Sequence, residues 1–394
     1  MLEIKPNLYS VGVQDPGLRV FDIIMNTPHG TSYNAYLLVG SEKSALIETV
    51  KMSFAEEYFA NIEAIKPIGE IDYLIINHTE PDHAGTIPLL LQKNPDITIV
   101  GTNSGITFVS SIIKGAFNSR VVGKGDTLSL GDRELQFYPM PNLHWPDTMF
   151  TFDPVHKALF TCDFLGTHYA FPELLLSRMT DTAAYVASRE AYYLDIMSPF
   201  SRPFAANGLK CARELNPDII LPGHGPILDT GIEEVFEHYE QLTLPPPQEG
   251  KNAVIVYVSA YGYTAKLAET IAQGIQDKGV QVTLLDPGTA SQREIMQKMQ
   301  QADGILFGSP TILGKQLQPI DEVLDKLYPF MMKGKLASAF GSYGWSGEAV
   351  PNLMDRLGHL KAKTVEGFRV RFRPGEEELQ QAHAFGKSFA EALK

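Results

Sequence analysis

The chain has 394 residues, of which 44% are hydrophobic, 20% charged and 10% aromatic, and this composition is typical of a folded protein of two or three domains. The formal net charge of −13 argues against nucleic-acid binding, which needs Lys and Arg to neutralise phosphates. No apolar run approaches the roughly 18 residues of a membrane span. The first residues lack a signal-peptide pattern and only two cysteines occur, so we predict a cytoplasmic location with no membrane association.

A proline-rich segment predicts the domain boundary. In Leu244-Pro-Pro-Pro-Gln-Glu-Gly250, three prolines fix an extended backbone and the glycine restores conformational freedom. We therefore predict two domains, residues 1–249 and 250–394.

The first domain alternates short apolar runs with helical patterns. Helices are expected near Phe54–Ile65 and Ala84–Gln92. Strands are expected at Ala35–Val39, Ala45–Thr49, Tyr73–Ile76, Ile97–Val100, Leu135–Tyr138, Met149–Phe152, Ala158–Thr161 and Ile219–Leu221. The mixture predicts an αββα sandwich.

The second domain has a regular strand–helix order, which implies right-handed crossovers and a doubly wound parallel sheet. The expected strands are Ala253–Val258, Gln281–Leu285, Gly304–Gly308 and Leu336–Phe340. The expected helices are Lys266–Lys278, Glu294–Gln300 and Ile320–Leu327.

Metal-competent side chains follow several predicted strands of the first domain. His78, Glu80, Asp82 and His83 lie within six residues after Tyr73–Ile76. His144, Asp163 and His224 each follow another apolar run. Loops at one edge of a sandwich can bring such residues together.

A single His or Asp after a strand is most often an ordinary loop residue. We accordingly assign His29, His156, His168, His238, His359 and His383 to the surface or to packing. Four charged or ligating side chains so close together are different, because they are rarely packed without a cation.

The motif His78-x-Glu80-x-Asp82-His83 resembles the first motif of the metallo-β-lactamase fold, His-x-His-x-Asp-His, with Glu80 in place of the second histidine. With the later His144, Asp163 and His224, the pattern is similar to that of flavodiiron proteins, or A-type flavoproteins, along essentially the whole chain. The resemblance implies one iron bound by His78, Glu80 and His144, another bound by Asp82, His83 and His224, and Asp163 as the bridge. A carboxylate in place of an imidazole also favours iron over zinc.

Two further residues are weaker candidates for the gas-binding pocket. Tyr193 matches a pocket tyrosine of some relatives, which predicts a catalytic hydrogen-bond donor, although a tyrosine on an amphipathic helix is an equally good interpretation. His29 is a less favoured pocket residue than a surface one.

Three loops of the second domain suit a flavin. Hydroxyls and a glycine open the first helix, at Ser259, Tyr261, Gly262, Tyr263 and Thr264, and such a turn either binds phosphate or merely caps the helix. Two later loops lie at the same edge of a doubly wound sheet. They contribute the predicted contacts Pro310, Thr311, Ile312, Ser342, Tyr343, Gly344, Trp345 and Gly347. The order of loops is similar to flavodoxin and no dinucleotide fingerprint is present, so the predicted cofactor is FMN.

Electron counting defines the expected reaction. Reduced FMN and two ferrous ions hold four electrons, enough to convert dioxygen to water, and two electrons convert two nitric oxide molecules to nitrous oxide. The sequence does not choose between these gases. The resemblance implies a head-to-tail homodimer, alone or paired into a dimer of dimers, and the lack of rubredoxin-type Cys-x-x-Cys pairs implies a separate rubredoxin-type electron donor.

Two other functions remain open from the sequence. One is a zinc-dependent hydrolase of the metallo-β-lactamase fold fused to a flavodoxin domain. The other is an electron shuttle whose metal site is degenerate. Glu80 and the flavin loops argue against the first, and the complete set of seven ligands argues against the second.

Overall fold

A computed structural model describes residues 2–243 and 250–393, which form two compact units divided at Leu244 and Pro245. Most of the proline-rich segment, residues 244–249, lies outside the described residues. The domain boundary at 249/250 therefore stays a prediction.

The first unit contains two main sheets. Its strands are β1 (Leu2–Lys5), β2 (Leu8–Ser10), β3 (Val13–Asp15), β4 (Val20–Phe21), β5 (Met25–Asn26), β6 (Thr31–Tyr33), β7 (Tyr36–Val39), β8 (Ser44–Ile47), β9 (Tyr73–Ile75), β10 (Thr98–Gly101), β11 (Asn118–Val121), β12 (Thr127–Ser129), β13 (Glu134–Pro139), β14 (Met149–Asp153), β15 (Ala158–Cys162) and β16 (Ile219–Pro222). One sheet has the order β1-β2-β7-β8-β9-β10-β11 and the other β12-β13-β14-β15-β16. The pairs β3–β6 and β4–β5 form two small hairpin-like sheets.

Helices cover the outer faces of this sandwich. They are α1 (Ala55–Glu63), α2 (Pro81–Ala84), α3 (Ile87–Lys93), α4 (Asn103–Ile113), α5 (Thr182–Tyr192), α6 (Ala206–Leu215) and α7 (Ile232–Thr243). Short 3-10 turns occur at Met52–Phe54, Ile68–Glu70, Leu176–Arg178 and Ser198–Phe200, and π-helical turns at Tyr193–Met197 and Ser201–Ala205.

The alternation of side chains along the strands builds the layers. In β8, Ala45 and Ile47 enter the core between the two sheets, whereas Leu46 packs outward beneath α1 and α3. In β16, Ile219 faces the inner core and Ile220 faces α5, α6 and α7. Successive side chains of a strand point to opposite faces, so each strand contributes to two cores. The αββα architecture predicted from the sequence is confirmed.

The second unit is a doubly wound domain. Its strands are β17 (Asn252–Tyr257), β18 (Gln281–Leu285), β19 (Gly304–Gly308), β20 (Leu336–Tyr343), β21 (Lys363–Thr364) and β22 (Phe368–Arg371). Its helices are α8 (Tyr263–Gln276), α9 (Gln292–Gln301), α10 (Gln318–Leu324), α11 (Pro329–Met332), α12 (Ala349–His359) and α13 (Glu376–Ala392).

All pairs in its sheet are parallel, in the order β18-β17-β19-β20, after which β20 pairs with both β21 and β22. Ile255 and Ile271 belong to the core shared with α8 and α13, whereas Val254 and Ile295 belong to the core on the opposite face. This confirms the predicted parallel sheet with helices on both sides. None of the helices in the described residues is long and apolar enough to cross a membrane.

Candidate functional site

The seven predicted metal ligands come from loops that follow strands of both main sheets. His78 and Glu80 lie between β9 and α2, and Asp82 and His83 lie within α2 itself. From the second sheet, His144 lies between β13 and β14, Asp163 directly follows β15 and His224 follows β16. The ends of the two sheets therefore supply one common site.

The first group of ligands contains His78, Glu80 and His144. Oε2 of Glu80 lies 3.2 Å from Nε2 of His78 and 3.1 Å from Nε2 of His144. Both imidazoles also face Asp163, so one ligand atom from each of the four residues falls within 4.8 Å of the others. Such a cluster has the size of a single metal site.

The second group contains Asp82, His83 and His224. Oδ2 of Asp82 lies 3.1 Å from Nε2 of His224 and 3.4 Å from Nε2 of His83. All three residues are buried. Their ligand atoms also lie within 4.8 Å of one another, which defines a second position for a cation.

Asp163 connects the two groups through its two oxygens. Oδ1 lies 2.9 Å from Nε2 of His83 and 3.4 Å from Nε2 of His224. Oδ2 lies 3.3 Å from Nε2 of His144 and 3.5 Å from Nε2 of His78. One carboxylate therefore faces both cation positions, as a bridging ligand must.

The electrostatics of the site require positive charge between these groups. Burial raises the pKa of Glu80, but hydrogen bonds with His144 and His78 outweigh burial and lower the pKa to about 2. Burial lowers the pKa of His224, yet hydrogen bonds with Asp163 and Asp82 raise it to about 10. Ionised carboxylates that face imidazole nitrogens need a proton or a metal cation between them.

The donor set fits two iron ions. Three carboxylates and four imidazoles are mixed oxygen and nitrogen ligands, which suit iron, and no thiolate takes part. Oδ1 of Asp82 is buried and has no hydrogen-bond partner in the described parts of the chain, so it is available to a metal. Without a cation, this many buried acidic groups would be costly.

Two buried carboxylates that the sequence reading did not single out support the histidines from behind. Oδ1 of Asp147 lies 3.3 Å from Nδ1 of His78, and its Oδ2 accepts hydrogen bonds from the backbone N–H and hydroxyl of Thr79. Glu48 accepts a hydrogen bond from the N–H of Asn77. A hydrogen-bonded carboxylate behind a metal-bound histidine fixes the orientation of its ring.

Glu48 lies close to the ring of His83. A carboxylate oxygen of Glu48 and a ring nitrogen of His83 lie within 4.8 Å of each other. Both Oε2 of Glu48 and Nδ1 of His83 are buried with no hydrogen-bond partner among residues 2–243 and 250–393. Burial raises the pKa of Glu48 to about 7, although the charge of His83 acts in the opposite direction.

The structure directs Tyr193 away from the metal ligands. Its hydroxyl lies 2.8 Å from that of Ser201 and 2.9 Å from that of Thr243, and its ring packs on Tyr239. These contacts favour the interpretation of Tyr193 as a packed tyrosine of an amphipathic helix over its interpretation as a residue of the gas-binding pocket. Helix α5 turns by about 100° per residue, so the neighbouring Tyr192 faces a different side.

Tyr192 and His168 occupy the side of the site next to His224. The ring of His168 lies 4.8 Å from that of Tyr192 and 5.0 Å from that of His224. The hydroxyl of Tyr192 and Nε2 of His168 are both buried and have no hydrogen-bond partner in the described residues. Burial raises the pKa of Tyr192 and lowers that of His168, helped by the charge of His224, so both rings remain neutral.

Neither Tyr192 nor His168 was assigned to the site from the sequence, because the spacing of residues does not show which side chains face the metal ligands. Tyr192 and Tyr193 are adjacent, and only the phase of the helix decides which one faces the ligands. His168 was predicted to be a surface or packing residue, and it is indeed buried and bonded to the Thr31 hydroxyl at 2.9 Å. The exposed ring of His29 stacks on Tyr169.

The flavin loops follow the three central strands of the second sheet. Residues 259–264 follow β17, and residues 309–314 follow β19. Residues 342–347 comprise the last two residues of β20 and the four residues after it. These three strands are neighbours in the sheet. The hydroxyl of Thr264 lies 2.9 Å from that of Ser342, and the N–H of Thr311 donates to the carbonyl of Ser342. Hydrogen bonds thus join all three loops at the carboxyl edge of the sheet.

The first of these loops has the properties of a phosphate site. Oγ of Ser259 is buried without a hydrogen-bond partner in the described chain. Gly262 has φ +81°, a left-handed conformation, and immediately precedes the 14-residue helix α8. Free N–H groups and the positive end of a helix attract an anion, and an unpaired buried hydroxyl adds a donor.

Aromatic side chains around the loops are open to a planar ligand. Trp345 is 91% exposed and Tyr261 is 81% exposed, although large aromatic side chains are usually buried. The remaining predicted contacts, Pro310, Ile312, Tyr343, Gly344 and Gly347, lie in the same three loops. The arrangement suits a ring system flanked by aromatic faces.

Comparison with known proteins agrees with this geometry. Residues 31–225 match a family model described as ODP family beta lactamase, and residues 255–386 match the flavodoxin model. Three curated relatives are similar along nearly the whole chain. They are type A flavoprotein fprA of Rhodobacter capsulatus (40% identity, 99% of this chain and 91% of the relative), a flavo-diiron protein of Clostridium acetobutylicum (39%, 100% and 99%) and a nitric oxide reductase of Moorella thermoacetica (33%, 98% and 97%).

Among solved structures, the rubredoxin:oxygen oxidoreductase of Desulfovibrio gigas is 28% identical and superimposes with a TM-score of 0.76. The match covers 100% of this chain and 98% of that protein.

Proposed function

The chain belongs to the flavodiiron family of oxidoreductases, and from this premise we propose that it reduces dioxygen, nitric oxide or both at a di-iron centre fed by FMN. The observation that carries the proposal is the position of Asp163 between two buried groups of ligands. A single metal would not need a carboxylate whose two oxygens face separate sets of histidines.

Seven side chains would hold the metals. His78, Glu80 and His144 would bind one iron, Asp82, His83 and His224 the other, and Asp163 both. When bound, the irons and FMN together supply the electrons for reduction of the gas. Three carboxylates would offset three of the four positive charges of two ferrous ions.

The chain's own residues provide hydrogen bonds beside the metals. Tyr192 stays protonated, and its free hydroxyl can donate to an oxygen atom of the substrate. The Thr31 hydroxyl lies 2.9 Å from Nδ1 of His168 and 3.3 Å from the carbonyl oxygen of Ser32, and the His168 tautomer with its proton on Nε2 would supply a second donor. Preorganised donors in a buried site stabilise the negative charge that develops on a reduced oxygen.

The FMN would be held by the three loops at the carboxyl edge of the second sheet. Its phosphate would bind Ser259, Gly262, Tyr263 and Thr264, and its ring would lie against Tyr261, Tyr343 and Trp345. The remaining loop contacts are Pro310, Thr311, Ile312, Ser342, Gly344 and Gly347. The unpaired hydroxyl of Ser259 supports the phosphate assignment.

Both units carry exposed apolar groups that support a head-to-tail homodimer. In the hairpin of β4 and β5, Ile23 is 92% exposed and Ile24 is 74% exposed. The ring of Phe21, in the same hairpin, lies 5.5 Å from the ring of His224, so the hairpin lies beside the candidate metal ligands. Trp345 and Leu313 expose apolar surface at the flavin loops. Apposition of the two surfaces from different chains would bury both and bring flavin near iron.

The electron donor would be a separate protein of the rubredoxin type. A relative of similar structure is named a rubredoxin:oxygen oxidoreductase, and another relative is named a nitric oxide reductase, so both gases are candidate substrates. The cytoplasmic location stays a prediction from the sequence.

Two measurements on anaerobically purified protein test the proposal. Metal and flavin analysis should give two irons and one FMN per chain. Electrode assays with reduced rubredoxin should then show consumption of dioxygen, nitric oxide or both. Zinc in place of iron, together with esterase or thioesterase activity, would instead support the hydrolase. Bound FMN without iron and without gas consumption would support the electron shuttle.

A further inference from the structure

We propose that Arg369 and Arg371 hold the loop Gly341–Gly347 in its flavin-binding shape and favour the reduced form of the flavin by their positive charge. The inference rests on the proposed FMN site but goes beyond it. It assigns a redox-tuning role to two side chains outside the flavin loops.

Strand β22 brings both arginines directly behind the loop. It pairs in parallel with the end of β20, and the register places Arg369 opposite Gly341 and Arg371 opposite Tyr343. Val370 lies between them and is buried, whereas both arginines are exposed. Because side chains alternate along a strand, the two guanidinium groups emerge on the same face.

Each arginine donates a hydrogen bond to a backbone carbonyl of the loop. Nη1 of Arg369 lies 3.1 Å from the carbonyl oxygen of Gly347, and Nε of Arg371 lies 3.4 Å from that of Gly344. The guanidinium carbon of Arg369 also lies 5.7 Å from the ring centre of Tyr343. The two bonds flank Trp345 and Ser346, so the arginines fasten the loop on either side of its exposed aromatic residue.

The loop needs such support because glycines interrupt it. Gly347 has φ +81°, in the left-handed region, and Gly344 and Gly347 have no side chains with which to anchor the backbone. The acceptors of the two arginines are the carbonyls of these glycines. Removing a guanidinium would therefore release the glycine carbonyl that it holds.

The same groups add positive charge to an acidic protein, whose formal net charge is −13. Two-electron reduction of FMN by the external donor takes up two electrons and one proton to give the anionic hydroquinone, so the flavin gains one negative charge. A nearby cation stabilises that product relative to the oxidised ring whatever the orientation of the ring. The negative charge of Glu348 partly offsets the positive charge of Arg369. The pKa of Glu348 is lowered mainly by its hydrogen bond with Ser346 and also by the charge of Arg369, so the two charges interact. We therefore expect the larger effect from Arg371.

The test compares three variants of the FMN-loaded full-length chain, Arg369→Gln, Arg371→Gln and Arg373→Gln. Arg373 is the matched control, since it is an exposed arginine two residues beyond Arg371 and no hydrogen bond from it to the loop is found in the described residues. The readouts are the dissociation constant of oxidised FMN and the flavin potentials from spectroelectrochemical titration.

Arg371→Gln should weaken binding of the hydroquinone about tenfold more than binding of oxidised FMN. A tenfold change corresponds to about 30 mV for a two-electron couple, so the midpoint potential of the oxidised/hydroquinone couple should fall by that amount. Arg369→Gln should shift the potential in the same direction by less, and the control should shift it least. The conservative Arg371→Lys variant should keep the flavin potential, because it keeps the positive charge. It should weaken the binding of oxidised FMN, because lysine lacks the fixed geometry of the guanidinium.

Potentials of Arg369→Gln and Arg371→Gln that match the control would overturn this inference while FMN binding stays intact. Failure of the unmodified chain to bind FMN would instead overturn the proposed function.

Discussion

Asp163 and His83 meet at 2.9 Å, Oδ1 to Nε2, and the other oxygen of the same carboxylate faces His144 at 3.3 Å. Asp163 directly follows β15, which is buried throughout and pairs with β14 and β16, with a register shift between Phe160 and Cys162. Asp163 is thus the candidate ligand whose two oxygens face both groups of histidines.

We expect Asp163→Asn to lose iron from both positions, whereas His144→Ala should mainly affect one. The amide keeps the shape of the side chain but removes the charge that two cations would share. Iron and FMN analysis of purified variants should give fewer than one iron per chain for Asp163→Asn, with full FMN and no gas turnover. Two bound irons with normal turnover would contradict the bridging role, and His78→Ala, which is also expected to abolish turnover, serves as a comparison within one half.

Much of this architecture follows from sequence. All eight strands predicted for the first domain overlap strands of the structure, and the ends differ by only one or two residues. The seven candidate ligands are recognisable in the sequence because ligating side chains rarely cluster after strands for packing reasons. β22 was not predicted, because a four-residue strand between a turn and a helix has no distinctive period.

Residues whose role depends on three-dimensional packing could not be predicted in the same way. Glu48 ends an ordinary apolar strand pattern, and only the sheet order, which pairs β8 with β9, brings it behind His83. The choice between Tyr192 and Tyr193 depends on helix phase and on the π-helical turn that begins at Tyr193. Neither piece of information is local in the sequence.

Glu48 should matter for metal retention although it binds no metal directly in this assignment. Glu48→Leu removes the buried carboxylate beside His83, and loss of a supporting carboxylate near a metal-bound histidine typically lowers metal affinity by roughly 10- to 100-fold. Iron affinity can be measured by competition with a chelator. Glu48→Gln, which can still accept from the Asn77 N–H, should give an intermediate loss with FMN unchanged, and wild-type affinity in Glu48→Leu would contradict the supporting role.

Substitution of the two adjacent tyrosines should separate substrate chemistry from packing. Tyr192→Phe removes a free hydroxyl beside His224, and loss of one preorganised donor reduces turnover on the order of a hundredfold. Tyr193→Phe removes a hydroxyl bonded to Ser201 and Thr243, so it should lower stability by about 1 kcal/mol and leave turnover nearly unchanged. Stopped-flow reoxidation with each gas and thermal unfolding provide the two readouts. A larger loss of turnover in Tyr193→Phe would reverse the assignment.

Ser259→Ala should weaken FMN through its phosphate. A hydrogen bond to a charged group contributes roughly 1.5–3 kcal/mol, so the dissociation constant of FMN should rise by about 10- to 100-fold. Binding of riboflavin, which lacks the phosphate, should be unaffected and provides the control. Equal weakening of both ligands would mean that Ser259 acts on the ring or on the loop and not on the phosphate.

The exposed hairpin next to the metal ligands should contribute to the dimer. Ile23 has φ +66°, which is unfavourable for a β-branched residue, yet its side chain is almost fully exposed. Burial of one isoleucine side chain stabilises an interface by at least about 1.5 kcal/mol. The double substitution Ile23→Ser and Ile24→Ser should therefore raise the dissociation constant of the dimer by more than about tenfold. Sedimentation velocity over a range of concentrations measures this change.

The doubly substituted chain should keep its iron and FMN but lose donor-driven turnover on dilution. The control is Val155→Ser, at another exposed aliphatic position, which should behave like the unmodified chain. An unchanged dimer in the double variant would remove the hairpin from the interface.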